Sequence, residues 1–309
     1  MRRFRHVTLC LAALLLAACN QRATDPVLDD PDSGDVTVSA FGQPDMLEVV
    51  TWNIQNYPKV GARTVSRVAA IMLDLDADIY AVQEIESGSA FQGLLDSLNR
   101  IDTLHTWEGR LNREASFLLT GAVYKSDLIT VLSETALFTD DSYTFAGRPP
   151  QALYMRAASG GRSIDFTLIV LHLKALGDET SRSRREEAVR RLHAHVEAQV
   201  AAGADPDFVL AGDWNDLLDD PASVNVFQPF LDDTLDYRFL TLPFAGSSTE
   251  FSYIAGFESL IDHILISRSI ERDFPGPTAR VLKVDQSVPG YISDVSDHRP
   301  VGVRIPVFD

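Results

Sequence analysis

Six apolar runs along this chain each have one or two chemically active side chains at one end, and this pattern constrains the fold more than any other feature. The side chains at the run ends are, in chain order, Asn53, Glu84, His172, Asp213 with Asn215, Asp262, and Asp297 with His298. Near-continuous apolar runs such as Phe166–Leu171 are typical of strands that are covered on both faces. Strands that carry carboxylate, amide and imidazole groups at their ends suggest one metal-dependent hydrolytic site.

Apolar runs and helical periodicities predict one α/β domain over residues 47–309. Strands are predicted over 47–53, 78–83, 117–124, 128–132, 152–157, 163–173, 207–212, 260–267 and 300–305, and helices over 62–75, 89–99 and 184–201. The last helix is predicted to begin with a capping box of Ser183 and Glu186. Because helices alternate with strands early and strand pairs fill the middle, we predict mixed sheets covered by helices.

The N-terminus has the organisation of a signal peptide. A basic segment is followed by an apolar run from Val7 to Ala18. This run is too short for a membrane-spanning helix, which needs about 20 apolar residues. Its ending, Leu16–Cys19, resembles the bacterial lipobox, which predicts removal of residues 1–18 and lipidation of Cys19. Ordinary secretory cleavage near Ala18, with the cysteine incidental, is the alternative.

Residues 19–46 are predicted to form an acidic flexible tether. They hold six aspartates, three prolines and little periodic apolar content. Such a segment cannot bury enough apolar surface to offset its ordering entropy. It is either a spacer that holds the domain away from a membrane or a variable tail without a role. With a lipid on Cys19, the chain would be anchored in the bacterial cell envelope.

Cysteine content and charge narrow the kinds of site that the domain can hold. The 309 residues include 2 cysteines and carry a formal net charge of −17. Cys10 lies in the predicted signal peptide and Cys19 follows it, so the domain would have no disulfide and no thiolate metal ligand. The acidity argues against tight non-specific DNA binding, which draws on Lys and Arg contacts to phosphate. A nuclease remains compatible, because a metal and a local basic patch can supply the attraction.

Six short motifs match a known family. They are Thr51–Gln55, Gln83–Glu84, Leu171–Lys174, Gly212–Asn215, Ile261–His263 and Ser296–His298. Together they make residues 47–306 resemble the endonuclease/exonuclease/phosphatase superfamily, which has the deoxyribonuclease-I-like fold. The resemblance implies a four-layer α/β sandwich, in which two packed, mixed and mostly antiparallel β-sheets are flanked by helices. It also implies an active site at one end of the sandwich.

The resemblance implies a metal site at Glu84, Asn53 and Asp297. Glu84 would be the primary ligand, because carboxylate oxygen suits Mg²⁺ or Mn²⁺. Asn53 would orient Glu84 or bind the metal through its amide oxygen, and Asp297 would help to bind the metal. Some family members carry a carboxylate two residues after the first Asn. That position is Gln55 here, which favours one functional metal over two.

Five further residues are assigned catalytic roles. His298 is the predicted general base, because imidazole titrates near neutrality. Asp262 would hold its tautomer and stabilise its cation. Asp213 would accept a proton from the attacking water or align it, and Asn215 would hold that water and a phosphate oxygen. His172 would donate to a phosphoryl oxygen or help the leaving group. Each residue alone also fits a turn, a solvated strand end or a core position, so the assignment depends on the complete set.

Cations near these motifs are candidates for binding substrate. Arg148, in Arg148-Pro149-Pro150, resembles the phosphate-binding arginine of the deoxyribonuclease I branch, and Lys174 is also predicted to contact substrate phosphate. Three more cations, Arg182, Arg184 and Arg185, stand at the start of the predicted third helix, where they oppose its macrodipole. An anionic substrate or a solvated basic turn would each account for them.

The leading prediction is therefore a Mg²⁺-dependent phosphodiesterase, acting as a monomeric, envelope-anchored nuclease on nucleic acid. A phospholipid or sphingomyelin phosphodiesterase, or a phosphatase, is an alternative that the lipid anchor encourages. A catalytically silent surface lipoprotein that binds a partner is another. The intact set of catalytic-type residues argues against silence, because a binding module has no need of all of them.

Overall fold

A computed structural model describes residues 37–309 of the chain. The predicted signal peptide, Cys19 and residues 20–36 of the predicted tether lie outside the described residues. Within 37–309, none of the helices has the length and apolar character needed to cross a membrane.

Strands and helices alternate along the described residues. The strands are β1 (Leu47–Tyr57), β2 (Ile79–Ile85), β3 (Trp107–Leu111), β4 (Leu119–Lys125), β5 (Ile129–Ala136), β6 (Gln151–Ser159), β7 (Arg162–His172), β8 (Phe208–Asp213), β9 (Tyr237–Phe239), β10 (Asp262–Ser267), β11 (Thr278–Val281) and β12 (Val301–Ile305). The α-helices are α1 (Ala62–Leu75), α2 (Gly88–Ile101), α3 (Glu179–Ala201), α4 (Gln228–Asp232), α5 (Arg268–Asp273) and α6 (Tyr291–Asp294).

The strands form two packed six-stranded sheets. The order is β11-β12-β1-β2-β4-β3 in the first sheet and β5-β6-β7-β8-β10-β9 in the second. The pairs β1–β2 and β7–β8 are parallel, and the other pairs are antiparallel. The predicted fold, two mixed and mostly antiparallel sheets flanked by helices, is confirmed.

Three apolar layers hold the sandwich together. Residues from both sheets, such as Val49, Leu168 and Ile264, fill the space between the sheets. Helices α1 and α2 cover the outer face of the first sheet, and α3 covers the second. Central strands are therefore buried on both faces, which explains why they are near-continuous apolar runs. Each buried Val or Leu side chain stabilises the fold by about 1.5–3 kcal/mol.

The predicted start of α3 is wrong. The helix begins at Glu179, because the Asp178 carboxylate accepts hydrogen bonds from the Ser181 backbone N–H at 3.0 Å and its hydroxyl at 2.7 Å. Ser183 and Glu186 therefore lie inside the helix and form no capping box. The first turn is mostly polar, so it carries none of the apolar periodicity that was used to place the start.

The predicted boundary between tether and domain, at residue 47, also lies too late in the chain. The Phe41 side chain is only 2% exposed and packs into the core beneath the first sheet. Its carbonyl accepts a hydrogen bond from Arg304 Nε at 2.8 Å, and the guanidinium lies 4.4 Å from the Phe41 ring centroid. The domain therefore includes at least Phe41, because one aromatic anchor can order a segment whose composition is otherwise that of a linker.

Candidate active site

Strand pairing brings the predicted active side chains to one end of the sandwich. His172, the last residue of β7, pairs with Asp213 of β8, and Asp213 pairs with Asp262 of β10. Asn53 of β1 lies across from the end of β2, which carries Glu84. Five strands from two sheets therefore place their polar ends together, and the segment before β12 adds Asp297 and His298.

Asn53 connects the two sheets within the site. Its buried Nδ2 donates to Glu84 Oε1 and to Asp213 Oδ2, both at 3.0 Å. Its Oδ1 accepts the Gln55 backbone N–H at 3.0 Å. The second Glu84 oxygen accepts the Asn56 backbone N–H at 3.0 Å. Asn53 thus orients Glu84 through its amide N–H groups.

The backbone at Glu84 is held in an uncommon conformation. Its φ of +65° lies in the left-handed region, which non-glycine residues seldom adopt. Asn215, after β8, has a φ of +56°. Such strained residues persist where surrounding contacts over-determine them, and they cluster at functional sites. Both residues are also among those predicted from the sequence.

His298 and Asp262 form a buried pair. Asp262 Oδ2 lies 2.7 Å from His298 Nδ1, while His298 Nε2 lies 4.0 Å from Asp213 Oδ2 and 3.9 Å from Asp297 Oδ1. Burial alone would lower the pKa of His298, but the charges of Asp262, Asp213 and Asp297 outweigh it and raise the pKa to about 10. In the absence of a metal, the carboxylates therefore hold a proton on this imidazole.

Asp213 lies at the centre of the site. Burial, followed by the charge of Asp262, raises the pKa of Asp213 to about 7. Its Oδ1 accepts the Asn215 backbone N–H at 3.0 Å, and the Asn215 side-chain Nδ2 donates to the Leu173 carbonyl at 3.2 Å. The Asn215 backbone is thus held beside Asp213, while its side-chain amide contacts the Leu173 carbonyl.

His172 differs in charge from His298. Its Nε2 lies 3.6 Å from Asp213 Oδ2 and 3.9 Å from Glu84 Oε1, and its buried Nδ1 has no hydrogen-bond partner. Burial, followed by the charge of Arg148, holds the pKa of His172 well below its usual value. The imidazole is neutral and can donate one N–H to a phosphoryl oxygen.

Arg148 is a buried cation without a bonded counter-ion. Its Nη2 donates to the Leu173 carbonyl at 2.7 Å, and its Nε has no partner. Burial lowers the pKa of this guanidinium, while the charges of Asp213 and Glu84 oppose that shift. Across residues 37–309, no carboxylate forms an ion pair with it. A buried guanidinium in this state is suited to bind an anion from outside the chain.

The cations that follow His172 have different roles. Arg185 is buried, with its Nε 2.7 Å from Asp216 Oδ2 and its Nη1 donating to the Lys174 and Leu176 carbonyls. Arg185 therefore has a structural role, because it holds the loop before α3 in place. Among residues 37–309, the Lys174 Nζ donates only to the Ala175 carbonyl, at 2.7 Å.

The donor set fits a hard divalent cation. Carboxylate oxygens of Glu84 and Asp297 and the amide of Asn53 are the groups that Mg²⁺ and Mn²⁺ prefer. Asp213, Asp262 and His298 also place ligand atoms within 4.8 Å of one another. Within that group, Asp262 Oδ2 and His298 Nδ1 already bond each other.

Sequence reasoning missed how Asp297 is held. Gln55 Nε2 donates to Asp297 Oδ2 at 2.8 Å, and Lys59 Nζ donates in turn to Gln55 Oε1. Tyr253 is half-buried, and its ring centroid lies 5.2 Å from that of His298. The signal for Lys59 was weak, because a lysine six residues after the end of the predicted strand 47–53 is ordinary.

The chain belongs to the endonuclease/exonuclease/phosphatase family, whose model matches residues 50–298. Members of this family are phosphoric ester hydrolases, and enzymes with this fold depend on divalent metals. The predicted family membership is confirmed. No curated protein matches the chain.

Solved structures with the same fold come from distant proteins. An endonuclease/exonuclease/phosphatase from Bacteroides vulgatus is 16% identical, with a TM-score of 0.58 over 84% of this chain and 98% of its own. D. rerio TDP2 complexed with a single-strand DNA product is 11% identical, with a TM-score of 0.57 over 84% and 98%. The human Nocturnin catalytic domain is 16% identical, with a TM-score of 0.55 over 85% and 95%. At these identities the likeness shows the fold alone.

Proposed function

We propose that this protein is a Mg²⁺- or Mn²⁺-dependent phosphodiesterase that acts as a nuclease in the bacterial cell envelope. The observation that carries the proposal is the His298–Asp262 pair beside Glu84 and Asp297, with the uncompensated Arg148 nearby. A proton acceptor, a cation site and an anion-binding guanidinium in one buried region are what hydrolysis of a phosphodiester requires.

Glu84 and Asp297 would hold the metal, with Asn53 orienting the first carboxylate and Gln55 the second. When bound, a divalent cation polarises the phosphate and stabilises the charge that develops on it. Positive charge at these carboxylates also opposes the proton on His298. Its imidazole is then able to act as a base near neutral pH.

The chain's own groups account for the proton and for the attacking water. Asp213 and Asn215 align a water whose oxygen bonds to phosphorus while the bond to the leaving oxygen breaks. The leaving oxygen departs towards solvent, which supplies its proton. His298 Nε2 takes the water's proton, and Asp262 stabilises the resulting imidazolium. The neutral His172 donates an N–H to a phosphoryl oxygen, and Arg148 pairs with its negative charge.

Nucleic acid is the favoured substrate. A protein of the same fold, D. rerio TDP2, has been solved with a single-strand DNA product. The cations Arg148 and Lys174 beside the site would attract a phosphate backbone in spite of the acidic net charge. A phospholipid phosphodiesterase is the competing activity, and parallel assays on oligonucleotides and phospholipid vesicles separate the two.

The first test is hydrolysis of bis(p-nitrophenyl) phosphate with Mg²⁺, Mn²⁺, Ca²⁺ or EDTA. We expect metal-dependent turnover, and His298→Ala should lower kcat/KM by about 10²–10⁴-fold, the usual contribution of a general base. His105→Ala is a matched control, because His105 Nδ1 also lies 2.8 Å from a carboxylate, that of Asp127, but at the opposite end of the domain. Equal activity in wild type and His298→Ala would refute the assigned site.

We also propose that the protein is a monomer anchored by a lipid on Cys19. The basic N-terminal segment and the ending Leu16–Cys19 support the anchor. Labelled palmitate should enter the wild-type protein but not Cys19→Ser, which should leave the membrane fraction. Labelling of both proteins would contradict the anchor. Light scattering measures the molar mass of the domain in solution, which should be that of one chain.

A further inference from the structure

A surface of cations and exposed rings extends from one side of the catalytic end. It consists of Phe117, Tyr143, Arg148, Lys174 and Arg184, and we call it the basic-aromatic arm. Arg148 and Lys174 are already part of the proposed phosphate site, whereas Phe117, Tyr143 and Arg184 have no role there. Arg184 lies close enough to both cations to lower the pKa of each, after the larger effect of burial.

The cations of this arm are not neutralised within the chain. Arg148 and Lys174 donate to backbone carbonyls, and Arg184 Nε donates to the Tyr143 carbonyl at 2.8 Å. None of the three forms an ion pair with a carboxylate of residues 37–309, although the chain has 44 acidic residues for 27 lysines and arginines. By contrast, Arg190 and Arg191 farther along α3 both pair with Glu187. Arg148, Lys174 and Arg184 are therefore available to an anion from outside the chain.

Both rings of the arm are exposed and each lies beside one of these cations. Tyr143 is 65% exposed, with the Arg184 guanidinium 4.5 Å from its ring centroid. Phe117 is 52% exposed, with the Arg148 guanidinium 5.6 Å from its ring centroid. Rings this exposed add little hydrophobic stabilisation to the fold. Their open faces are available to pack against a ligand.

The loops that carry the two rings are fixed against each other. The Ser116 backbone N–H donates to the Gly147 carbonyl at 2.9 Å. Gly147 has a φ of +72°, and a Cβ at this position would lie 2.5 Å from Ser116 Oγ. The close approach therefore requires glycine and holds the Phe117 loop beside the Tyr143 loop. The rings and the cations form one preorganised surface.

We propose that the basic-aromatic arm binds single-stranded nucleic acid on one side of the phosphate that is cleaved. Backbone phosphates contact Lys174 and Arg184, and unpaired bases stack on Phe117 and Tyr143. Aromatic rings alternating with cations are how proteins bind single strands without sequence preference. Bases of a duplex are paired and stacked already, so the arm selects single strands. This inference rests on the proposed function and names the form of its substrate.

The experiment measures binding of a fluorescent oligothymidylate of about 12 nucleotides in EDTA, where cleavage is blocked, over a series of salt concentrations. Tyr143→Leu should weaken binding on the order of tenfold, and Tyr143→Phe should retain it, because the ring is what stacks. Arg184→Gln should weaken binding and reduce the slope of log affinity against log salt by about 0.7, the value for one phosphate on a single strand.

Arg162→Gln is the matched control, because it removes the same charge at the opposite end of β7 from His172. Its affinity and salt slope should equal those of the wild type. In cleavage assays with metal, Arg184→Gln should reduce the ratio of kcat/KM for the long oligonucleotide to that for a dinucleotide. Arg162→Gln should leave this ratio unchanged.

Three results would refute the proposal that the arm binds single-stranded nucleic acid. They are equal affinity of wild type and Tyr143→Leu, tighter binding of a duplex than of the single strand, and binding of phosphatidylglycerol vesicles without binding of the oligonucleotide. The last result would point to a lipid substrate. If the wild type cleaves phosphodiesters while the arm variants bind the oligonucleotide as tightly as the wild type does, only the proposed role of the arm is refuted. If the wild type hydrolyses no phosphodiester with any metal, the proposed function itself fails.

Discussion

Two acidic clusters lie at opposite ends of β1 and β2, and they are neutralised in different ways. At the start of these strands, Glu48 and Asp78 are buried beside Lys125. Lys125 Nζ lies 3.3 Å from Asp78 Oδ1 and 2.7 Å from Asp76 Oδ1. At this end of the strands, a lysine of the chain itself forms ion pairs with the carboxylates of Asp76 and Asp78.

At the other end of the strands, the carboxylates of the active site have no such partner. Within the described residues, no lysine or arginine forms an ion pair with any of them. These carboxylates are Glu84, Asp213, Asp262 and Asp297. Imidazoles approach them instead, and the consequence is a proton held on His298. The negative charge of these carboxylates is not neutralised by a lysine or arginine of the described residues, so an external cation can neutralise it. This difference distinguishes a binding site from a structural cluster.

The largest effect on stability is expected from removing the internal cation. Lys125→Met should lower the free energy of unfolding by about 3–5 kcal/mol, because it leaves the buried Asp78 carboxylate without its ion-pair partner. Asp76→Asn should cost much less, since the Asp76 side chain is 54% exposed. Urea denaturation measures both variants. A small loss for Lys125→Met would mean that this cluster is not held by its lysine.

A smaller effect is expected when the external cation is lost. Mn²⁺ at about 100 times its dissociation constant should stabilise the wild type by about 2.7 kcal/mol. In Glu84→Gln this gain should largely disappear, because the primary ligand loses its charge. Thermal unfolding with and without Mn²⁺, together with titration calorimetry, tests the site without relying on activity. An equal rise in Tm for Glu84→Gln, Lys125→Arg and wild type would place the metal elsewhere.

The smallest effect concerns pH at the structural cluster. Burial, and next the charge of Asp78, raises the pKa of Glu48 from 4.5 to about 9. The folded protein thus binds this proton more tightly than the unfolded chain, so its contribution is complete below pH 4.5 and is lost as pH rises towards 9. Glu48→Gln should therefore gain stability relative to wild type as pH rises from about 5 to about 8. If the free energies of unfolding of the two proteins changed in parallel with pH, this prediction would be contradicted.

Much of the fold was predictable because its signals are local. Central strands such as β7 and β8 are covered on both faces, so they are apolar throughout and stand out in the sequence. The short edge strands β3, β9 and β11 have 5, 3 and 4 residues and give no such pattern. Phe41 was assigned to the tether because a single aromatic residue in a linker-like segment carries no periodicity.

The candidate site was predictable in its members but not in its contacts. Arg184 and Arg185 are neighbours in a basic run, yet Arg185 binds Asp216 while Arg184 stacks on Tyr143. Which of two adjacent arginines meets an internal carboxylate depends on helix phase and on a strand end that lies far along the chain. No local pattern contains that information.

By itself, the sequence determined the apolar strands, the helices between them and the reactive residue at each strand end. These follow from residue preferences and periodicities that act over a few positions. Only the tertiary structure decided that carboxylates raise the pKa of His298 while burial lowers that of His172. It also decided that Lys125 lies inside one acidic cluster, whereas no lysine of residues 37–309 pairs with the other. Those properties depend on burial and on distances between charges that are far apart in the chain, and strand pairing sets those distances.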